Sequence, residues 1–215
     1  MNLPNKLTLI RIISIPFFIL FAVYDFFPFD DCYGDWLSRS IAALLFIGAA
    51  ITDFLDGHIA RKHNLITDFG KFMDPLADKF LILGSLMALC VSAFAFEYNA
   101  VCAHDFGVPA EVLRQVFFWA AVVVLFRELA VTSLRLVVAS SAGKVVAASW
   151  WGKVKTTTQC VAIILILLEP ALLCVLPDGF TPLCSYVAMA AMLIATIGSG
   201  LDYMKTYMPY IDTNK

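Results

Sequence analysis

Four aspartates lie in or beside apolar segments that are long enough to cross a membrane: Asp53, Asp56, Asp74 and Asp78. A carboxylate at membrane depth costs about 2.5–3.5 kcal/mol on insertion scales, so four of them need a compensating partner. Divalent cations are natural partners for clustered oxygen ligands. The sequence therefore predicts that this part of the chain holds metal ions and carries the function.

The composition is that of an integral membrane protein. The 215 residues are 61% hydrophobic and 15% charged, with a mean hydropathy of +0.84, whereas a soluble protein carries about 25% charged residues. Six apolar stretches predict an all-α polytopic protein with six transmembrane helices, near residues 7–27, 37–60, 72–95, 113–138, 156–176 and 183–204. Because the sequence has no linkers and no internal repeats, residues 1–215 are predicted to form a single membrane domain. The sequence also lacks a basic patch with aromatic residues between the charges, which argues against nucleic acid as a partner.

The distribution of lysine and arginine predicts the orientation of the chain. The segments near 25–38, 96–113 and 169–182 contain acidic residues but no Lys or Arg. By contrast, basic residues occur at the amino end, in the 61–71 and 140–155 segments and in the carboxyl tail: Lys6, Arg61, Lys62, Lys71, Lys144, Lys153, Lys155, Lys205 and Lys215. Because basic loops stay in the cytoplasm, both termini and the aspartate cluster are predicted to be cytoplasmic.

The six cysteines give little functional information. They contain no C-x-x-C pair and are not spaced as zinc ligands, so small apolar packing roles are expected. The predicted topology places four of them near the outer face, where a disulfide is permitted but not indicated. These four are Cys32, Cys102, Cys174 and Cys184.

The aspartates and their small neighbours form two stripes at helical spacing. The stripes are Asp53, Asp56, Gly57 and Ala60 on the second helix, and Gly70, Asp74 and Asp78 on the third. If these helices run antiparallel through a short turn near 62–69, the stripes face each other and the carboxylates converge. Two metal ions about 3.5–4 Å apart, bridged by shared carboxylates, allow such a set to ionise together.

The other residues of this segment indicate a ligand that contains phosphate. Gly57 and Gly70 let a ligand or a helix approach the backbone, and Ala60 keeps the same face open. Arg61 supplies a fork of donors that suits phosphate oxygens. Together with metal-binding carboxylates, these residues predict a site for a diphosphate ester.

Pro75 leaves two arrangements of the third helix open. It removes a backbone donor, so Asp74 is either an interior residue of the helix or its N-cap with Pro75 in the first turn. The nearby Asp68 and Gly70 are consistent with a simple capping role.

A second polar set lies on the fourth and fifth helices. It consists of Arg127, Glu128, Thr132, Arg135, Lys153 and Lys155. One interpretation is an internal Glu128–Arg135 ion pair, with the lysines as interfacial anchors beside Trp150 and Trp151. The other is a second anion site near the metals for a phosphorylated acceptor, because intramembrane arginines are costly unless they line a polar cavity.

The segment from Asp53 to Asp78 resembles, at every fixed position, the signature D-x2-D-G-x2-A-R-x8-G-x3-D-x3-D of the CDP-alcohol phosphotransferases. The likeness extends to Asn5-Lys6-Leu7-Thr8 with Arg11, to Arg127-Glu128, and to the segment 151–156, which look like the phosphatidylglycerophosphate synthase branch. The resemblance covers most of the chain apart from the outer loops.

The resemblance implies a six-helix enzyme of the cell membrane that works as a homodimer, with its active site facing the cytoplasm. Its partners would be membrane lipids, CDP-diacylglycerol and glycerol 3-phosphate. Two divalent cations, Mg²⁺ or Mn²⁺, would be held by the four aspartates, and Asp78 would also act as general base. The CDP-diacylglycerol pocket would comprise Asn5, Thr8, Asp56, Gly57, Ala60, Arg61 and Gly70, and the acceptor phosphate would be held by Arg127, Arg135, Lys153 and Lys155.

Other functions fit the sequence less well. A magnesium channel or transporter would show rings or inverted repeats, but the acids are confined to one hairpin. A membrane scaffold has no reason to keep four intramembrane aspartates. Within the family that this chain resembles, cardiolipin, phosphatidylserine and phosphatidylinositol-phosphate synthases remain alternatives. The residues of the acceptor pocket, which distinguish these enzymes, do not follow from the sequence alone.

Overall fold

The computed structural model describes residues 2–24, 26–27, 33–63, 67–92, 110–142, 150–173 and 183–208. These residues form six α-helices and contain no strand, which confirms the all-α prediction. The helices are α1 (Leu3–Val23), α2 (Tyr33–His63), α3 (Asp68–Val91), α4 (Ala110–Ala142), α5 (Trp150–Leu173) and α6 (Leu183–Tyr207). The helices α2 and α4 are longer than predicted, because each continues past its apolar stretch into polar sequence.

The helices have the surface of a membrane protein. Within the described ranges, three stretches are long and apolar enough to cross a membrane: Pro4–Val23, Trp150–Glu169 and Leu183–Tyr207. The side chains of Leu44, Phe80, Phe126 and Ile194 point outward from four different helices and are exposed. Such an apolar exterior is suited to lipid and would be a liability in water.

Helix α1 packs against both α2 and α3, which make little direct contact with each other in the described residues. In the described residues α1 therefore supplies most of the packing that holds α2 and α3 together, and the facing of their aspartate stripes stays a prediction. One buried face of α1 makes these contacts, and it is mostly polar in the first half of the helix and apolar in the second. This face consists of Pro4, Asn5, Thr8 and Arg11 in the first half, and Ile15, Phe18 and Ala22 in the second.

Small residues allow α1 and α2 to approach closely in the apolar half of the bundle. Ala42 and Ala43 are fully buried on α2, and the Phe18 and Phe46 rings pack at a centroid distance of 5.7 Å. Close packing of this kind is the main force between helices in lipid, where no hydrophobic effect drives them together.

Polar contacts join the first halves of α1, α3 and α5 to the second halves of α2 and α4, and a further contact joins the second halves of α4 and α6. Helices adjacent in sequence therefore alternate in direction, and the start of α1 and the end of α6 lie at the same end of the bundle. We call this the polar end. It contains the described members of both predicted polar sets.

The start of α3 resolves the question that Pro75 left open. Thr67 is the N-cap, and its side-chain oxygen accepts a hydrogen bond of 3.1 Å from the Gly70 backbone N–H. Asp68 lies in the first turn, where its charge favours the helix dipole. Pro75 is thus an interior residue, and Gly70, Asp74 and Asp78 keep the i, i+4, i+8 spacing of one continuous helix.

At the opposite end, a buried carboxylate caps a helix. The Glu169 side chain on α5 accepts hydrogen bonds from the backbone N–H groups of Cys184 (2.9 Å) and Ser185 (2.6 Å), at the start of α6. Glu169 is only 8% exposed, so the helix N-terminus supplies the neutralising partial charge. Cys184 is a free thiol, whereas Cys32, Cys102 and Cys174 lie outside the described residues.

We expect replacement of Glu169 by alanine to lower the free energy of unfolding by about 1.5–3 kcal/mol, because two backbone donors lose a charged acceptor. The measurement is denaturant unfolding in detergent micelles, followed by circular dichroism. The matched control is Glu111→Ala, which removes an exposed carboxylate from the first turn of α4. We expect this variant to lower the free energy of unfolding by less than about 1 kcal/mol. Equal losses in the two variants would contradict the capping role.

Candidate active site

Arg11 connects α1 to the aspartate stripe of α2. Its side chain is completely buried, and its Nη1 atom lies 2.5 Å from Oδ1 of Asp53, whose side chain is 44% exposed. A buried guanidinium needs a counter-charge, so this ion pair fixes the rotation of α1 and orients the Asp53 carboxylate. The exposed part of Asp53 remains accessible to a ligand.

Thr8, one turn before Arg11, connects the same face of α1 to α3. Its hydroxyl lies 2.8 Å from Oδ1 of Asp74 and 3.1 Å from the carbonyl oxygen of Pro4, and these two acceptors share its single hydrogen. Asp74 is otherwise exposed at the polar end. The buried threonine thus holds one oxygen of the carboxylate that the sequence predicts to be a metal ligand.

Asn5 completes the attachment of α1 to the first turn of α3. Its Oδ1 accepts a 3.0 Å hydrogen bond from the hydroxyl of Thr67, which in turn accepts from the Gly70 N–H. A Cβ atom at Gly70 would lie 3.2 Å from both Asn5 Oδ1 and Thr67 Oγ1, and 3.8 Å from Asp74. Glycine is needed here because the polar side chains of two helices converge on its backbone.

The chemistry of the aspartates fits divalent cations. Asp74 and Asp78 lie close enough to Asp53 for their charges to repel its carboxylate, and carboxylate oxygens are the ligands that Mg²⁺ prefers. Asp56, Ala60 and Arg61 lie on α2, but their side chains are outside the described part of the structure. Without Asp56, no three acidic, histidine or cysteine side chains of the described residues form a set that could hold a metal.

A second cluster on α4 and α5 brings three charged side chains together. Oε1 of Glu128 accepts from Nη1 of Arg127 at 3.1 Å and also from Nζ of Lys155. All three side chains are at most 13% exposed. The anion is thus shared by two cations, and the cluster keeps a net charge of one positive unit.

Asp78 and this cluster face each other across a small cleft between α3, α4 and α5. Its volume is about 10 Å³, which is room for about one water. Its polar lining consists of Asp78, Lys79, Glu128, Lys155, Thr156 and Gln159. Lys79 donates a 2.9 Å hydrogen bond to Thr132 on α4, which ties the two walls together. A candidate base and a candidate phosphate ligand therefore border the same space.

The four basic residues that were predicted to bind one phosphate all lie at the polar end, and their shared role stays a prediction. Lys155 and Arg127 meet at Glu128. Arg127 and Arg135 both lie over the Tyr203 ring of α6, with Cζ 5.5 Å and 4.8 Å from its centroid, and Arg135 also donates to the Tyr203 hydroxyl. Lys153 is exposed on α5. The alternative Glu128–Arg135 ion pair was wrong, since Glu128 binds Lys155 and Arg127 instead.

Sequence reasoning gave no role to three residues that organise this site: Arg11, Thr67 and Gln159. The signal for Arg11 was present, because it lies three residues after Thr8 in an otherwise apolar helix and so shares its face. Thr67 carried the signal of a capping residue directly before Asp68. Gln159 lies one turn after Lys155 and is fully buried, with Nε2 3.3 Å from the Thr196 hydroxyl.

Comparison with known proteins places the chain among lipid-synthesising enzymes. The family model described as CDP-alcohol phosphatidyltransferase matches residues 1–199. A CDP-diacylglycerol–glycerol-3-phosphate 3-phosphatidyltransferase of Bacillus subtilis is 39% identical over 94% of this chain and 93% of its own length. A probable phosphatidylglycerophosphate synthase of Mycobacterium tuberculosis is 35% identical over 94% of this chain and 80% of its own. A Rickettsia felis enzyme named like the Bacillus protein is 54% identical, but over 38% of this chain and 40% of its own length.

We expect Gly70→Ala to lower the free energy of unfolding by about 1–3 kcal/mol, because the new methyl group forces Asn5 and Thr67 apart. Gly48→Ala is the matched control, since nothing lies within 4 Å of a Cβ atom at that position on α2. There the loss of glycine should stabilise the helix by about 0.5–1 kcal/mol. Both variants are compared by denaturant unfolding in one detergent, and stabilisation by both would contradict the tight junction at Gly70.

Proposed function

The chain belongs to the CDP-alcohol phosphatidyltransferase family, and on that premise we propose that it is a phosphatidylglycerophosphate synthase. It transfers the phosphatidyl group of CDP-diacylglycerol to the 1-hydroxyl of glycerol 3-phosphate, and it releases CMP. The observation that carries this assignment is the 39% identity, over almost the whole of both chains, to a relative named for this reaction. The M. tuberculosis relative carries an equivalent name, which favours glycerol 3-phosphate over serine, inositol phosphate or phosphatidylglycerol.

The cleft suggests how the acceptor is oriented. Lys155 and Asp78 border the same small space, so a phosphate bound by Lys155 and Arg127 brings the acceptor's hydroxyl group towards the Asp78 carboxylate. Arg135 and Lys153 lie away from this cleft, and we assign them to attraction of the anionic acceptor at the polar end. Of the four predicted phosphate ligands, this proposal gives the direct contacts to Lys155 and Arg127.

In the proposed reaction, Asp78 accepts the proton of the acceptor's hydroxyl group while the hydroxyl oxygen attacks the lipid-side phosphorus of CDP-diacylglycerol. A new oxygen–phosphorus bond forms, the bond from that phosphorus to the CMP oxygen breaks, and CMP leaves with the negative charge. Gly57, Ala60, Arg61 and Gly70 line the cytidine diphosphate pocket, with Asn5 and Thr8 contributing from α1. Arg11 and Thr8 keep Asp53 and Asp74 in fixed orientations.

Two divalent cations, Mg²⁺ or Mn²⁺, complete the proposed site and would be held by Asp53, Asp56, Asp74 and Asp78. When bound, they supply positive charge that neutralises the diphosphate and the leaving group. The mutual repulsion of Asp53, Asp74 and Asp78 supports this assignment, since the cluster requires compensating charge.

We further propose that all six helices cross the cell membrane, with both termini and the active site in the cytoplasm. α2, α3 and α4 contain 31, 24 and 33 residues, and about 20 helical residues span a bilayer. The one-sided distribution of Lys and Arg supports the orientation. The resemblance to the family supports a homodimer embedded among membrane lipids.

The deciding experiment measures CMP release from CDP-diacylglycerol by the purified enzyme with a panel of acceptors. We expect turnover with glycerol 3-phosphate and background rates with serine, inositol phosphate and phosphatidylglycerol. A preference for any of the other three would refute the proposed acceptor while leaving the family assignment intact. Omission of the acceptor is the control for simple hydrolysis.

Replacement of Asp78 by asparagine separates the role of a base from that of a metal ligand. Loss of a general base should lower kcat by about 10²–10⁴-fold, and added metal cannot restore proton abstraction. Turnover is measured over a Mg²⁺ titration that begins with chelator and no added metal. Under that starting condition the wild-type enzyme should be inactive. Full recovery of Asp78→Asn at high Mg²⁺ would mean that another group is the base.

A further inference from the structure

Glu128 occupies a position that a bound phosphate would be expected to fill. Its Oε1 atom is within reach of both Lys155 and Arg127, and Lys155 acts on the nearby Asp78 carboxylate. Both cationic side chains are only 9% exposed, and Arg127 also donates to the hydroxyl of Ser199. A carboxylate that bridges two buried cations resembles a phosphate oxygen in charge and geometry.

The size of the cleft leads to the same conclusion. With the side chains in their present positions, the cleft beside Glu128 has room for about one water. Glu128 and Lys155 both line this cleft. Because the Glu128 carboxylate already binds Lys155 and Arg127, a phosphate can bind both cations only if this carboxylate moves.

A second partner for the displaced carboxylate is available nearby. Lys79 lines the same cleft from α3 and binds Thr132, one turn after Glu128 on α4. Thr132 also donates a 2.7 Å hydrogen bond to the backbone carbonyl of Glu128. The carboxylate can therefore exchange Lys155 and Arg127 for Lys79 without becoming an unpaired buried charge.

We propose that Glu128 is an internal counter-ion that competes with the acceptor's phosphate for Lys155 and Arg127 and moves to Lys79 when the phosphate binds. This inference rests on the proposed function, because it takes the phosphate-bearing acceptor as the incoming anion. Glu128 is thus a specificity-determining residue. It keeps the cleft closed to neutral alcohols, since only an anion can replace it between the two cations.

The sign of the effect distinguishes this role from a structural one. Glu128→Gln keeps the shape of the side chain but removes the competing charge, so inorganic phosphate should bind about tenfold more tightly. The Michaelis constant for glycerol 3-phosphate should fall by a similar factor, whereas that for CDP-diacylglycerol should not change. If Glu128 only supported the fold, its replacement would weaken the binding of both substrates.

The experiment titrates inorganic phosphate against the thermal unfolding of the purified full-length protein, so that its readout does not depend on turnover. The wild-type protein, Glu128→Gln and the control Glu111→Gln, which removes an exposed carboxylate, are compared in one detergent at constant ionic strength. The expected result is a half-saturating phosphate concentration about tenfold lower in Glu128→Gln alone. An unchanged or higher concentration would overturn the proposal.

Lys79→Gln gives an independent test if Glu128→Gln does not fold. Without its second partner, Glu128 should stay on Lys155, and phosphate should bind several-fold more weakly than in the control Lys205→Gln, an exposed lysine of α6. Equal binding in these two variants would overturn the proposal. Wild-type turnover with glycerol 3-phosphate is measured separately, and its absence would refute the proposed function without altering the phosphate result.

Discussion

The ion pair between Arg11 and Asp53 is the constraint on which the polar end of this protein depends. A guanidinium cannot be deprotonated inside a membrane protein, so the helix that carries it must be placed where a carboxylate is available. Once Arg11 is paired, the face of α1 is fixed, and Thr8 and Asn5 necessarily point towards the start of α3. The aspartates of α2 and α3 are thus organised by a third helix that contributes none of the predicted metal ligands.

The charges of the site are divided between two neighbouring regions. The aspartates of α2 and α3 give one region an excess of negative charge, and the cluster of Arg127, Glu128 and Lys155 gives the other a positive excess. Asp78 borders both of them. In the proposed reaction the diphosphate, whose charge bound cations would offset, and the phosphorylated acceptor are both anionic. Separate positive charge for each of them would let them approach one another without strong repulsion.

Much of the fold could be predicted from the sequence, because long apolar runs and helical spacing depend only on residues that are close together in the chain. The stripe of Gly70, Asp74 and Asp78 survives in the structure for this reason. The partners of the charged residues did not follow, since they depend on neighbouring helices. Glu128 and Arg135 share a helical face, but seven residues separate them by about 10 Å along the axis, while Lys155 comes from the adjacent helix. Lys153 and Lys155 are two residues apart and so point in nearly opposite directions.

The division of the buried face of α1 into a polar and an apolar half has a consequence for the synthesis of the protein. Because α1 precedes α2 in the chain, Arg11 reaches the bilayer before Asp53 does, and until the two residues are paired α1 is an incompletely stabilised segment. An arginine at the centre of a helix costs about 2.5–3.5 kcal/mol on insertion scales, which the apolar second half of α1 must offset. The final position of α1 therefore depends on α2 and on the start of α3, both of which follow it in the chain.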